Sequence, residues 1–111
     1  MGNQALKVYK CSNNAVAAIK ETGECYIQGF GGSMEPLLHS GDIFRFVLVT
    51  DQMELSKGDI VFCKANGNLL LHKIVAINGD RFQIGNNKKK INGWAMRKNI
   101  FGKYEETVKN R

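Results

Sequence analysis

The residues best able to do covalent chemistry lie in one short segment, Gly31-Gly32-Ser33-Met34-Glu35-Pro36. Two glycines let the backbone take positive φ or approach a ligand closely. The serine after them is expected on a sharp turn at a strand end, with the N–H groups of Gly32 and Ser33 free to face an incoming carbonyl oxygen. Pro36 stiffens the exit from that turn. By itself the segment is also consistent with a structural loop holding a hydrogen-bonded serine, because a hydroxyl is a poor nucleophile until a base removes its proton. The competing nucleophiles, Cys11, Cys25 and Cys63, form no CxxC pair and no zinc spacing, and none has a glycine-rich turn or a histidine at suggestive spacing. Cys63 stands in the apolar run Ile60-Val61-Phe62-Cys63, where a cysteine acts as a small buried hydrophobe. No metal and no cofactor are expected.

Such a serine needs a frame. Ser12-Asn13-Asn14 ahead of Ala15 to Glu21 predicts a capped short helix ended by Thr22-Gly23. Strands are predicted at Glu24 to Gln28, Ile43 to Val49, Ile60 to Lys64, Leu69 to Ile77, Arg81 to Ile84 and near Ile100 to Tyr104. Asn66-Gly67 between two of these runs is a strong hairpin signal. Asn78-Gly79-Asp80 makes a second tight turn, with Asp80 as a turn-former. Short strands at regular spacing predict a mainly β, barrel-type fold with one short N-terminal helix.

Several elements recur in a fixed order: Ser33-Met34-Glu35-Pro36, Gly41-Asp42, Lys57-Gly58-Asp59-Ile60-Val61, His72-Lys73-Ile74 and Gly85-Asn86-Asn87. As a set they resemble the S24/S26 peptidase superfamily, which holds the type I signal peptidases and the self-cleaving LexA-like repressors. The resemblance spans roughly residues 23–104. It implies three parts: an N-terminal helical segment (1–22), a peptidase domain (23–104) and a C-terminal tail (105–111). It also implies a compact β-barrel-type fold of that superfamily.

The resemblance makes Ser33 the nucleophile, with Met34, Pro36, Asp42 and Asp59 as motif support. The base is usually a lysine on a later strand, but endoplasmic-reticulum-type signal peptidases place histidine there. His72-Lys73-Ile74 is similar to that version, so His72 takes the base role. Histidine suits the task because its ordinary pKa, about 6.5, lies near the working pH. Lys73 is the alternative base; strand alternation sends it to the opposite face, and a one-residue slip would exchange the two. His39, close in sequence to Ser33, is assigned to the loop.

Two departures from the superfamily stand out. Relatives carry Gly-Asp-x-Asn after the base strand, whereas this chain has Gly85-Asn86-Asn87-Lys88, so Asn86 becomes the expected orienter of the imidazole. An amide can fix a tautomer but cannot stabilise imidazolium by charge. Where some signal peptidases place an oxyanion-stabilising hydroxyl, this chain has Gly31, which leaves the oxyanion to backbone N–H groups. Asp42 and Asp59 each follow a glycine and read as turn acceptors for backbone N–H groups. Trp94 is expected in core or rim packing.

The implied function is a serine endopeptidase that cleaves a peptide or protein leader through a Ser/His dyad and an acyl-enzyme. Two other readings use the same fold: a weak or inactive peptide-binding module, and a self-cleaving regulator. Only about two dozen residues precede the strands, too few for a helix-turn-helix domain, and no Ala-Gly cleavage pair is visible. The net charge of +6 collects late in the chain, at Lys88, Lys89, Lys90, Arg97, Lys98, Lys103, Lys109 and Arg111. No aromatic side chain interleaves with the lysine run, so nucleic acid is not an expected partner. A peripheral contact with anionic surfaces through this region is the remaining use of that charge, beside solubility.

The 43% hydrophobic and 23% charged composition is that of a globular chain. The N-terminus has no apolar core of a signal peptide, and Ile43 to Val49 is interrupted by Arg45 and too short to span a bilayer. The sequence therefore predicts a domain without its own transmembrane anchor. With an odd number of cysteines it also predicts a reducing compartment, the cytoplasm.

Overall fold

Residues 6–108 are described by a computed structural model of the chain. The expectations for residues 1–5, and for residues 109–111 with Lys109 and Arg111, fall outside them. The elements run β1 (Val8–Tyr9), α1 (Asn13–Thr22), β2 (Glu24–Gln28), β3 (Ile43–Leu48), β4 (Ile60–Ala65), β5 (Asn68–Asn78), β6 (Arg81–Gly85), β7 (Ile91–Met96) and β8 (Ile100–Val108). A single turn of 3₁₀ helix, Arg97–Asn99, links the last two strands.

The helix forms on a run of alanines, and its buried residues, Ala15 and Ile19, are four apart on one face. Its N-terminus departs from the expected side-chain cap. The Ser12 hydroxyl donates to the Lys10 carbonyl at 3.0 Å, while the Ser12 carbonyl accepts from the amides of Ala15 and Val16. At the other end the Gly23 amide closes the helix on the Ile19 carbonyl at 2.9 Å. The helix seats against the sheet at Gly102, where a Cβ would stand 2.6 Å from Ile19 Cδ1. A side chain there would force Ile19 to shift and would crowd Phe46 Cβ at 3.0 Å.

All eight strands join one sheet in the order β1-β2-β3-β8-β4-β5-β6-β7. Every neighbouring pair is antiparallel except β1 with β2. The mainly β architecture with one helix is as the sequence predicts. The barrel is not closed: β1 and β7 end the sheet and do not pair with each other. Three features were not legible in the sequence: β1, β7, and the run of β8 beyond Tyr104, where Glu106, Thr107 and Val108 pair with β3. Asn66 (φ 51°) and Gly67 (φ 80°) make the two-residue hairpin between β4 and β5, the two positive φ values of a type I′ turn.

The strand β8 divides the sheet into two halves, since β3 and β4 pair with each other only through it. Successive side chains of a strand point to opposite faces, so β4 and β8 supply both sides. Phe62 and Phe101 enter one apolar cluster with Ile19, Ile27, Phe44 and Phe46. Val61, Cys63 and Ile100 enter another with Ile74, Phe82 and Ile84. Each fully buried side chain of this size contributes about 1.5–3 kcal/mol relative to exposure. Among the described residues no helix is long and apolar enough to cross a membrane.

Candidate active site

After β2 the chain leaves the sheet for a loop, residues 29–42, that returns beside its own start. Gly41 donates to the Gly29 carbonyl at 2.7 Å and the Gln28 amide side chain to the Gly41 carbonyl at 2.9 Å. Inside the loop a helical-type turn forms, with Leu37 and Leu38 amides on the Met34 carbonyl at 2.8 and 3.0 Å. Met34 and Leu38 are the buried anchors of this turn. Gly31 takes a φ of 103°, a conformation L side chains rarely adopt, and its amide is held by the Ser40 hydroxyl at 3.1 Å. The Glu35–Pro36 peptide is cis. Ser33 thus stands on a tethered turn, half-buried at the mouth of the loop.

His72 comes from the other half of the sheet, on β5 opposite Val61 of β4. Its Nε2 lies 3.2 Å from Ser33 Oγ. Its Nδ1 lies 2.7 Å from Asn92 Oδ1. An amide oxygen only accepts, so Nδ1 carries the proton and Nε2 presents its lone pair to the serine hydroxyl. Burial pushes the imidazole below its ordinary pKa; the Asn92 hydrogen bond pulls the other way, and the nearby Lys90 charge lowers it further.

Asn92 owes its place to a bulge. The β6–β7 register steps from Ile84 opposite Gly93 to Gly85 opposite Ile91, which leaves Asn92 as the extra residue. Bulges re-aim a side chain in this way. Asn86 sits elsewhere from where the sequence placed it. Its side-chain oxygen accepts the amides of Lys88 and Lys90 at 2.7 and 3.0 Å, and its own amide donates to the Lys90 carbonyl at 2.9 Å. Asn86 builds the β6–β7 turn and Asn92 meets the imidazole. A bulge cannot be counted from spacing, so the sequence offered only the amide-rich stretch around Gly85 as a signal for Asn92.

Lys73 projects away from His72, as alternation requires. Its ammonium donates to Asn87 Oδ1 at 2.9 Å. Asn87 in turn donates its side-chain nitrogen to the Glu35 carbonyl and its backbone amide to the Ser33 carbonyl, each at 2.9 Å. His39 lies on the loop with Nδ1 3.8 Å from Glu35 Oε2, both side chains exposed. Asp59 accepts the Ser56 amide at 2.8 Å and faces Lys103 Nζ at 3.5 Å. Asp42 belongs to the loop closure, its carbonyl accepting from Gly29 and its amide donating to the His39 carbonyl. Trp94 is on the outer rim, under the Arg81 guanidinium at 5.1 Å.

Ser33 and His72 open onto a cleft of about 490 Å³ whose walls include Phe30, Met34, Phe44, Leu69 and Leu71. Cys11 also lines it. Burial pushes the Cys11 thiol up to about 11, so it stays protonated and poorly nucleophilic at neutral pH. Cys25, raised by burial and by Glu24 and Cys11, lies at about 11, and buried Cys63 at about 12. Among the described residues Ser33 is the hydroxyl that has an imidazole nitrogen at hydrogen-bond distance.

The family described as "Signal peptidase, peptidase S26" matches residues 16–111 of this chain. The match covers α1 from Val16 and every strand from β2 onward, and so includes the Ser33 turn, His72 and Asn92. No curated protein and no solved structure matches the chain.

Proposed function

The chain belongs to the S26 signal peptidase family, and on that premise we propose that it is a serine endopeptidase in which Ser33 is the nucleophile and His72 the general base. The observation that carries this reading is the aligned run Ser33 Oγ, His72 Nε2, His72 Nδ1, Asn92 Oδ1, with steps of 3.2 and 2.7 Å across the ring. A histidine base and a serine at hydrogen-bond distance are what an acyl-enzyme mechanism requires.

The reaction then runs in two halves. Ser33 Oγ bonds to the carbonyl carbon of a peptide laid in the cleft while His72 Nε2 takes the hydroxyl proton. The tetrahedral centre collapses, the C–N bond breaks, and His72 returns that proton to the leaving amine. A water molecule next loses a proton to His72 and attacks the acyl carbon; the bond from that carbon to Ser33 Oγ breaks, His72 returns the proton to Ser33 Oγ, and the acid product leaves. The amides of Gly32 and Ser33 make no hydrogen bond among the described residues, and they are the donors proposed for the oxyanion. Asn92 holds the tautomer and orientation of the ring without adding charge, so imidazolium is less stabilised than beside a carboxylate. The substrate is an extended peptide or protein segment whose side chains enter the apolar cleft. The three unpaired thiols support a reducing compartment, the cytoplasm.

Reaction with a fluorophosphonate, followed by mapping of the labelled residue, tests the assignment. Label on Ser33 that disappears in His72→Ala supports the dyad. Label elsewhere, or none with intact binding of peptides, makes the domain a peptide-binding module that has kept only the fold.

A further inference from the structure

We infer that Asn87 is a positioning residue which, with Lys73 behind it, latches the Ser33 turn to the β5–β6 frame and so sets the reactivity of Ser33. The inference rests on the reading of Ser33 as nucleophile. Three of the four polar groups of Asn87 are committed at this junction. Its backbone amide holds the Ser33 carbonyl, its side-chain nitrogen holds the Glu35 carbonyl, and its side-chain oxygen accepts Lys73 Nζ, each at 2.9 Å. The two ends of the amide are not interchangeable here. A backbone carbonyl can only accept and an ammonium can only donate, so Lys73 fixes which way the Asn87 amide points.

The latch has a built base. Lys73 lies on β5 opposite Gly85 at the end of β6. The chain turns there around buried Asn86, whose oxygen takes two amides of the turn. A Cβ at Gly85 would stand 2.8 Å from the Lys90 carbonyl, so this turn closes only on a glycine. Asn87 therefore projects from a fixed point. The Ser33 turn, by contrast, bonds largely to itself, through Gly32 with Glu35 and Met34 with Leu37 and Leu38. Residues 33–35 reach the half of the sheet that carries His72 through Asn87 and through the Ser33–His72 bond itself.

Releasing the latch lets Ser33 drift relative to an imidazole that stays where it is. A displacement on the order of 1 Å at a reacting group costs up to about 100-fold in rate.

The rate of labelling by a fluorophosphonate reads this directly: Ser33 Oγ bonds to phosphorus, fluoride leaves, and His72 takes the proton. Asn87→Ala is expected to slow labelling about tenfold or more, and Lys73→Met a few-fold. The pH midpoint of labelling and the melting temperature should move little in either. Lys73→Arg should restore most of the rate, and Lys73→Met should add nothing in the Asn87→Ala background, because lysine acts through the amide. Should Asn87→Ala not fold, the pair Lys73→Met and Lys73→Arg decides. Labelling of Asn87→Ala within twofold of the parent chain overturns the latch, as do multiplying effects in the double variant. Labelling lost in Lys73→Met as completely as in His72→Ala overturns it by making Lys73 the base. A parent chain that takes no label at Ser33 overturns the nucleophile assignment, and the latch falls with it.

Discussion

The segment that carries Ser33 and the strands that carry His72 and Asn92 differ in what holds them. Residues 29–42 make few ladder bonds; they are closed by glycine and side-chain contacts and anchored by Met34 and Leu38. His72 and Asn92 ride on β5 and β7, bridged by β6 in continuous antiparallel register with bulges at defined steps. The proposed base and its orienter are thus set by sheet geometry, whereas the proposed nucleophile is brought to them by a loop. Loops supported by a rigid scaffold are where enzymes place groups that must meet substrate.

If this division holds, the largest effects come from removing the two groups that meet. Ser33→Ala and His72→Ala should each reduce peptidase or labelling activity by about 10³-fold or more, with melting temperatures near that of the parent. Equal residual activity in Ser33→Ala would show that chemistry lies outside the loop.

Next in size are changes to the frame. Ile84→Ala, in the second cluster, should lower unfolding free energy by about 2–5 kcal/mol, read by urea denaturation. Gly102→Ala places a methyl against Ile19 and should cost about 1–3 kcal/mol. A comparable loss of stability from Leu38→Ala would show the loop to be as cooperative as the strands. The expected result is a smaller stability loss with a larger loss of labelling.

A subtler change acts on the ring. Asn92→Asp puts a carboxylate on Nδ1, raises the imidazole pKa and stabilises imidazolium as it forms. The acidic limb of the pH–rate profile should move to higher pH, and the plateau rate should rise about tenfold. An unmoved limb would remove Asn92 from the orienting role.

The smallest effect is on stability. The folded-state pKa of His72 is depressed below its ordinary value of about 6.5, so the unfolded chain binds the proton more readily. Stability should therefore be full above about pH 6.5 and decline as pH falls towards the folded-state value. His72→Gln should flatten that decline in thermal melts measured between pH 5 and pH 8.

The unequal legibility of the site follows from the same division. The Ser33 turn could be read because glycine, serine and proline in sequence dictate local backbone. The Asn66-Gly67 hairpin was legible for the same reason, and it fixes the register that puts His72 on β5 opposite Val61. Asn92 was not legible, since its position depends on a bulge two strands away from His72. The strand that holds it begins after a lysine run and contains Asn92-Gly93, residues that favour turns. Asn86 drew attention by its place in the motif, and its buried side chain is engaged with the turn instead. Closure of the barrel was expected from strand spacing as well as from resemblance, yet it depends on contacts between sheet ends that no local pattern encodes.

The insertion of β8 between β3 and β4 has a consequence for biosynthesis. A nascent chain holds both Ser33 and His72 long before it holds Ile100 to Val108, the strand that joins their two halves. Folding during synthesis begins with N-terminal segments, yet here the early segment lacks the partner that seats β3. Assembly of the Ser33–His72 pair across the two halves is thus expected to wait until this strand clears the ribosome.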